Sequence, residues 1–106
     1  MANDAGVLIL TSLASGSKHG YALARDIEEF AGVALGPGTL YGAITRLEER
    51  GLIEPVGHED RRRPYRITAA GRTALTTSVR ELGTIAAEGA RRLGIPLLDP
   101  RPGWAL

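Results

Sequence analysis

The chain has 106 residues, which is enough for one hydrophobic core and too few for two ordinary domains. Its hydrophobic share of 43% and charged share of 24% are those of a globular protein. The net charge of +1 excludes a polybasic or acidic disordered chain, and the lack of cysteine excludes disulfide scaffolds, thiolate metal sites and cysteine nucleophiles. No apolar run approaches the roughly 20 residues that cross a bilayer. The start, Met1-Ala2-Asn3-Asp4, lacks the charged region of a signal peptide. We therefore expect a cytoplasmic protein with no membrane partner.

The first third of the sequence predicts two short helices. The first runs from a capping Asn3 or Asp4 to about Ala14 and is apolar on more than one face, so it must be covered on two sides. The second runs from about His19 to Ala31. Its expected core stripe, at the spacing i, i+4 and i+7, consists of Leu23, Ile27 and Phe30.

A third helix is predicted to begin at Gly36-Pro37-Gly38-Thr39, because proline is favoured at the first helical position. It ends at Gly51, a residue type that readily adopts the left-handed conformation after a helix. Its buried stripe consists of Leu40, Ile44 and Leu47. When that stripe faces the core, the helical period places five residues on the outer face: Thr39, Gly42, Thr45, Arg46 and Glu49.

Two strands at residues 52–56 and 64–68 enclose the polar loop 57–63, a pattern typical of a β-hairpin with a charged tip. Thr68 then caps a long helix over residues 69–93, and three prolines predict an extended tail beyond it. This order predicts a mainly α (α+β) fold, a winged helix-turn-helix with a two-stranded wing. The expected divisions are 1–68 for the winged helix, 69–93 for a dimerisation helix and 94–106 for the tail.

Four fragments occur in the order and spacing of a known family. They are Lys18-His19-Gly20-Tyr21, Gly36-Pro37-Gly38-Thr39-Leu40-Tyr41, Leu47-Glu48-Glu49-Arg50-Gly51-Leu52-Ile53 and Arg62-Arg63-Pro64-Tyr65-Arg66-Ile67-Thr68-Ala69-Ala70-Gly71. Together they resemble the PadR family of transcriptional regulators, in its short branch with a single helix after the wing. The resemblance implies a cytoplasmic homodimer, a ligand-responsive repressor that binds an inverted-repeat operator in double-stranded DNA and responds to an unidentified small-molecule effector. The chain departs from the family pattern at Gly42, where a larger residue, commonly arginine, is usual.

The third helix is the candidate for contact with DNA base edges. Thr39 and Thr45 offer hydroxyl or methyl contacts, and Arg46 can reach a guanine or a phosphate. Gly42 has no side chain and would let the backbone approach DNA closely. Tyr41, at the flank, either directs its hydroxyl at a phosphate or is a half-buried core residue. The alternative for the outward residues is an ordinary solvated helix face.

The start of the second helix is a candidate phosphate site, because the free N–H groups and the dipole of a helix N-terminus favour anions. Lys18, His19 and Tyr21 lie there, and the alternative is a helix start whose Tyr21 packs inward.

The hairpin tip carries Arg61, Arg62 and Arg63, which suit the negative potential of a narrow minor groove. The alternative is a solvated turn balanced by the acidic pair before it. Arg66, on the second strand, is expected instead to pair with Glu54 across the hairpin.

The long helix carries small and apolar residues at alternating spacings of 4 and 3, typical of a coiled-coil seam. They are Leu75, Val79, Leu82, Ala86, Gly89 and Leu93, and Ile85 widens the seam. A second copy of the chain is the expected cover, with Leu8 of the first helix contributing to the same interface. Trp104, on the tail, is either disordered or folds over the dimer interface or an effector pocket.

Enzymatic motifs are missing from the sequence: it has no G-x-S-x-G, P-loop or dinucleotide fingerprint. His19 and His58 are the only histidines, and no acidic cluster completes a metal site. We therefore expect no catalytic residue, metal or cofactor. Two alternatives to a DNA-binding regulator are a winged helix used for protein–protein contact and a small-molecule-binding protein without DNA function.

Overall fold

The structure, a computed structural model, describes residues 4–57 and 63–97. In chain order the elements are α1 (Ala5–Leu13), α2 (Gly20–Ala31), α3 (Pro37–Glu49), β1 (Ile53–Pro55), β2 (Tyr65–Ile67) and α4 (Ala69–Leu93). The two strands are antiparallel, with Ile53 opposite Ile67, Glu54 opposite Arg66 and Pro55 opposite Tyr65. This order confirms the predicted fold class, although each strand is shorter than expected. The tail beyond Leu97, with Trp104, lies outside the described residues.

Helix ends follow the local sequence. The carboxylate of Asp4 accepts the N–H of Gly6 at 2.8 Å and caps α1. The hydroxyl of Thr68 accepts the N–H of Gly71 at 3.0 Å and caps α4, as predicted. Gly51 has a φ of 72°, the left-handed conformation expected for the residue that ends α3.

The core surrounds α1, which is in contact with α2, α3, α4 and β2 of its own chain. Leu8 is only 6% exposed there, so the chain itself covers the apolar faces of α1. The interpretation of Leu8 as a dimerisation residue is therefore corrected: it is a core residue. Leu23 and Ile27 are buried as predicted, whereas Phe30 is 47% exposed. Phe30 lies in the last turn of α2.

The first turns of α4 pack on the core through Ala74 and Leu75, and the rest of the helix extends beyond it. The described chain measures 50 × 27 × 26 Å in consequence.

Near the end of α4, hydrogen bonds from Arg91 and Arg92 lower the pKa of Glu88. None of the helices in the described ranges is long and apolar enough to cross a membrane.

Candidate nucleic-acid interface

The outer face of α3 carries the predicted polar residues. Thr39, Thr45 and Arg46 are all exposed. The hydroxyl of Thr45 donates to the carbonyl of Tyr41 at 2.9 Å, one turn earlier. Because that proton is engaged within the helix, Thr45 can offer a ligand only its oxygen lone pairs and its methyl group.

Gly42 provides space for the side chain of Arg46. A Cβ atom placed on Gly42 would lie 3.5 Å from Nη1 of Arg46, and no other atom outside the helix backbone comes within 4 Å of it. The guanidinium therefore lies over the bare backbone of α3 one turn before its own Cα. The lack of a side chain at Gly42 thus leaves Arg46 as the cation on the middle of the helix face.

Tyr41 joins α3 to the start of α2. A Cβ atom on Gly20 would lie 2.9 Å from Cζ and 3.0 Å from Cε1 of Tyr41, and closer still to the hydroxyl. Such contacts are too short for a real side chain, so Gly20 must be glycine while the tyrosine ring rests on it. Tyr41 remains exposed along the rest of its ring, and its hydroxyl lies at the N-terminus of α2.

The backbone N–H groups in the first turn of α2 are not capped by the side chain of the N-cap residue. His19 is the N-cap in an extended conformation, and its imidazole makes no capping hydrogen bond to the first turn. Tyr21 is 67% exposed, so the alternative in which it packs inward is wrong. The guanidinium carbon of Arg25 lies 5.9 Å from the centre of the Tyr21 ring, and Nη1 donates to its hydroxyl at 3.4 Å. This hydrogen bond raises the pKa of Arg25, a cation that the sequence analysis missed although the i, i+4 spacing of the pair indicates it.

Lys18 has a different environment from the one predicted. Its ammonium donates to the carbonyl of Ser12 at 2.5 Å, to Oγ of Ser15 at 3.0 Å and to the carbonyl of Gly16 at 3.4 Å. These three acceptors match the three donors of an ammonium group. The ammonium is thus directed at the end of α1, and its predicted role as added charge for a phosphate stays a prediction.

The wing is described up to its base. Arg63 is half-buried at the start of the segment that leads into β2, and Arg61 and Arg62 lie outside the described residues. Nε of Arg66 donates to Oε2 of Glu54 at 2.6 Å, which confirms the predicted cross-strand pair. Within the described ranges, no three acidic or histidine side chains are grouped in a way that could hold a metal ion.

A helix with outward threonines and an arginine, followed in the chain by a short hairpin, is typical of the class of winged-helix transcription regulators that bind DNA. Residues 9–77 match the transcriptional regulator PadR-like family, and the chain belongs to this family. Members of the family are transcriptional regulators and not enzymes.

Two relatives and one solved structure illustrate the match. The chain is 40% identical over 83 residues to the transcriptional regulator Rv3488 of Mycobacterium tuberculosis, covering 76% of this chain and 77% of the relative. It is 49% identical over 73 residues to an uncharacterised 37.1 kDa protein in transposon TN4556 of Streptomyces fradiae, covering 69% of this chain but only 21% of that protein. A PadR-like transcriptional regulator of Bacillus cereus shares the fold, with a TM-score of 0.74 at 21% identity over 83% of this chain and 89% of that one.

Proposed function

We propose that this chain represses transcription by binding an inverted-repeat operator in double-stranded DNA as a homodimer, in the cytoplasm and under the control of a small-molecule effector. The observation that carries the proposal is the continuity of the candidate interface. The outward face of α3 adjoins the start of α2 through Tyr41 and Gly20. The start of α2 in turn follows Lys18, whose backbone pairs with Tyr65 of the wing.

Each part of this surface suits a different component of DNA. Arg46 and Thr45 have the chemistry for base edges in the major groove. The N-terminus of α2, with His19, Tyr21 and the hydroxyl of Tyr41, suits a phosphate, which fixes register without reading sequence. The arginines of the wing, residues 61–63, suit the adjacent minor groove or backbone.

A homodimer is supported by the exposed seam of α4. Val79 is 55% exposed, and Ile85 and Leu93 are exposed beyond it. Apolar residues at coiled-coil spacing on a projecting helix need a cover, and a second copy of the same helix supplies one. A symmetric dimer would hold two α3 helices about one DNA turn apart, ~34–36 Å, and would read an inverted repeat.

An effector site is proposed in the distal half of that seam. Ala86 and Gly89 are both exposed and small, so two copies of α4 meeting there would bury little area. The space left between them would accept a small apolar ligand, which is the class of effector we expect.

The function is tested by selecting bound sequences from random duplex DNA and then measuring affinity across salt concentrations. We expect a steep salt dependence, with a log–log slope of about −0.9 per neutralised phosphate. Arg62→Ala should lower the magnitude of the slope by about 1 and weaken binding to all sequences similarly. Arg80→Ala removes the same charge from the exposed side of α4 and is the matched control. Salt-independent binding, or no binding to any duplex, would contradict the proposal and favour a protein-binding winged helix.

Base recognition by α3 gives a separate expected result. Arg46→Ala should relax the preference at one base position and cost about 1–3 kcal/mol there, because a bidentate contact to guanine is lost. Arg50→Ala, at the C-cap of the same helix, should leave the preferred sequence unchanged. The measurement is repeated sequence selection with each variant. An unchanged preference in Arg46→Ala would mean that DNA shape, and not this side chain, carries specificity.

A further inference from the structure

Lys18 connects the wing to the helical part of the molecule through its backbone. Its N–H donates to the carbonyl of Tyr65 at 3.1 Å, and its carbonyl accepts the N–H of Tyr65 at 2.9 Å. Tyr65 therefore uses one edge of β2 for Lys18, while the neighbouring residues of β2 use the other edge for β1. Because an isolated two-stranded hairpin is marginally stable at best, this additional pair supports the wing.

The side chain of Lys18 fixes the other end of this connection. The carbonyl of Ser12 belongs to the last turn of α1, where carbonyl groups have no donor within the helix. It receives the ammonium of Lys18 at 2.5 Å and the hydroxyl of Ser15 at 3.1 Å. A cation at a helix C-terminus is also favoured by the helix dipole. One residue thus holds the wing through its backbone and α1 through its side chain.

A second bond extends this network to α2. Ser12 is 1% exposed, and its hydroxyl donates to Oδ2 of Asp26 at 2.6 Å. The same carboxylate oxygen lies 4.0 Å from the ammonium of Lys18. The end of α1, the middle of α2 and the edge of β2 are therefore connected through Lys18, Ser12 and Asp26.

We propose that Lys18 is a positioning residue that sets the wing relative to α2 and α3, and that it does not itself contact DNA. Of the 13 basic residues in the chain, 12 are arginine and Lys18 is the single lysine. Its environment explains this choice. Three oxygens within residues 12–16 surround a compact ammonium with three rotatable donors, whereas the planar fork of arginine is larger and cannot direct its donors in this way. The effect on DNA rests on the function proposed above, but the structural role does not.

The structural role is tested without DNA, by hydrogen exchange of the Tyr65 amide, which donates to the carbonyl of Lys18. We expect Lys18→Met and Lys18→Arg to speed exchange of this amide by about tenfold, because the loss of hydrogen bonds from a charged donor loosens the connection. Arg80→Met is the matched control and should leave it unchanged. If Lys18→Met does not fold, Ser15→Ala removes one acceptor at an exposed position and should shift the exchange in the same direction by a smaller factor. Unchanged exchange of Tyr65 in the folded variants overturns the proposal.

The consequence for DNA binding is tested in two backgrounds, the parent and a variant with Arg61, Arg62 and Arg63 all replaced by alanine. We expect Lys18→Met to weaken binding about tenfold in the parent and less than about twofold in the alanine background, because positioning the wing matters only while its cations are present. Equal losses in both backgrounds, with a fall of about 0.9 in the salt slope, would identify Lys18 as a phosphate contact and overturn the proposal. If the parent binds no duplex while the exchange of Tyr65 still responds, the proposed function fails and the positioning role stands.

Discussion

Val79→Asp is expected to convert the protein to a monomer. Val79 is 55% exposed in the single chain, so a carboxylate there is solvated and costs the monomer little. In the proposed dimer the same carboxylate would be buried without a partner in the seam of α4, which costs several kcal/mol. Sedimentation velocity should show monomer at concentrations where the parent is a dimer. DNA affinity should fall by about 100-fold or more, because the two half-sites are no longer linked.

Thr77→Asp is the matched control for this change. Thr77 is exposed on the same helix, two residues from Val79 and off the seam, and it undergoes a similar loss of helix propensity. It should sediment and bind as the parent does. If Val79→Asp also behaves as the parent, α4 does not form the interface and the proposed assembly is wrong.

Gly71→Ala should destabilise the fold by about 3 kcal/mol, at the upper end of the usual cost of overpacking. A Cβ atom on Gly71 would overlap the backbone carbonyl of Leu52 and would lie 2.7 Å from Cγ1 of Ile67. A backbone oxygen cannot move away as the end of a side chain can. The start of α4 would therefore have to separate from Leu52, the residue before β1, whose carbonyl also accepts the N–H of Thr68 at 3.1 Å.

The measurement is chemical denaturation, with Gly83→Ala as the control on the same helix. Apart from its two chain neighbours and the backbone of its own helix, no heavy atom of the described chain lies within 4 Å of the Cβ position at Gly83, so alanine there should stabilise by about 0.5–1 kcal/mol through helix propensity alone. The two glycine-to-alanine substitutions are thus expected to change the free energy of unfolding in opposite directions. Stabilisation by Gly71→Ala would show that the start of α4 does not pack against Leu52 and Ile67 as described.

The start of α2 shows most clearly which contacts sequence reasoning could not supply. Lys18 was predicted to face an anion because it precedes a helix, but its ammonium is directed back to Ser12 and Gly16 at the end of the preceding helix. Tyr41 and Gly20 are 21 positions apart, and their contact depends on how α2 and α3 cross. Neither arrangement follows from spacing along the chain, because each depends on the packing of one element against another.

Leu8 and Phe30 show that the hydrophobic pattern has a similar limit when it is used to predict which side chains are buried, and by what. The apolar faces of α1 indicated correctly that both sides would be covered, but the pattern could not say that the covering elements belong to the same chain. Phe30 has the spacing of a core residue and is exposed, since hydrophobic period predicts a direction on the helix and not how far the neighbouring elements extend.

Local chemistry controls the features that could be predicted from the order of the residues alone. Asp4 and Thr68 begin helices because their side chains accept backbone N–H groups within three residues, and Gly51 ends one because glycine tolerates a positive φ. The pairing of Glu54 with Arg66 followed from the hairpin register. The acceptors of Lys18 and its backbone pairing with Tyr65 could not be predicted in this way, because hydrogen bonds and close packing between distant segments form only once the elements are assembled.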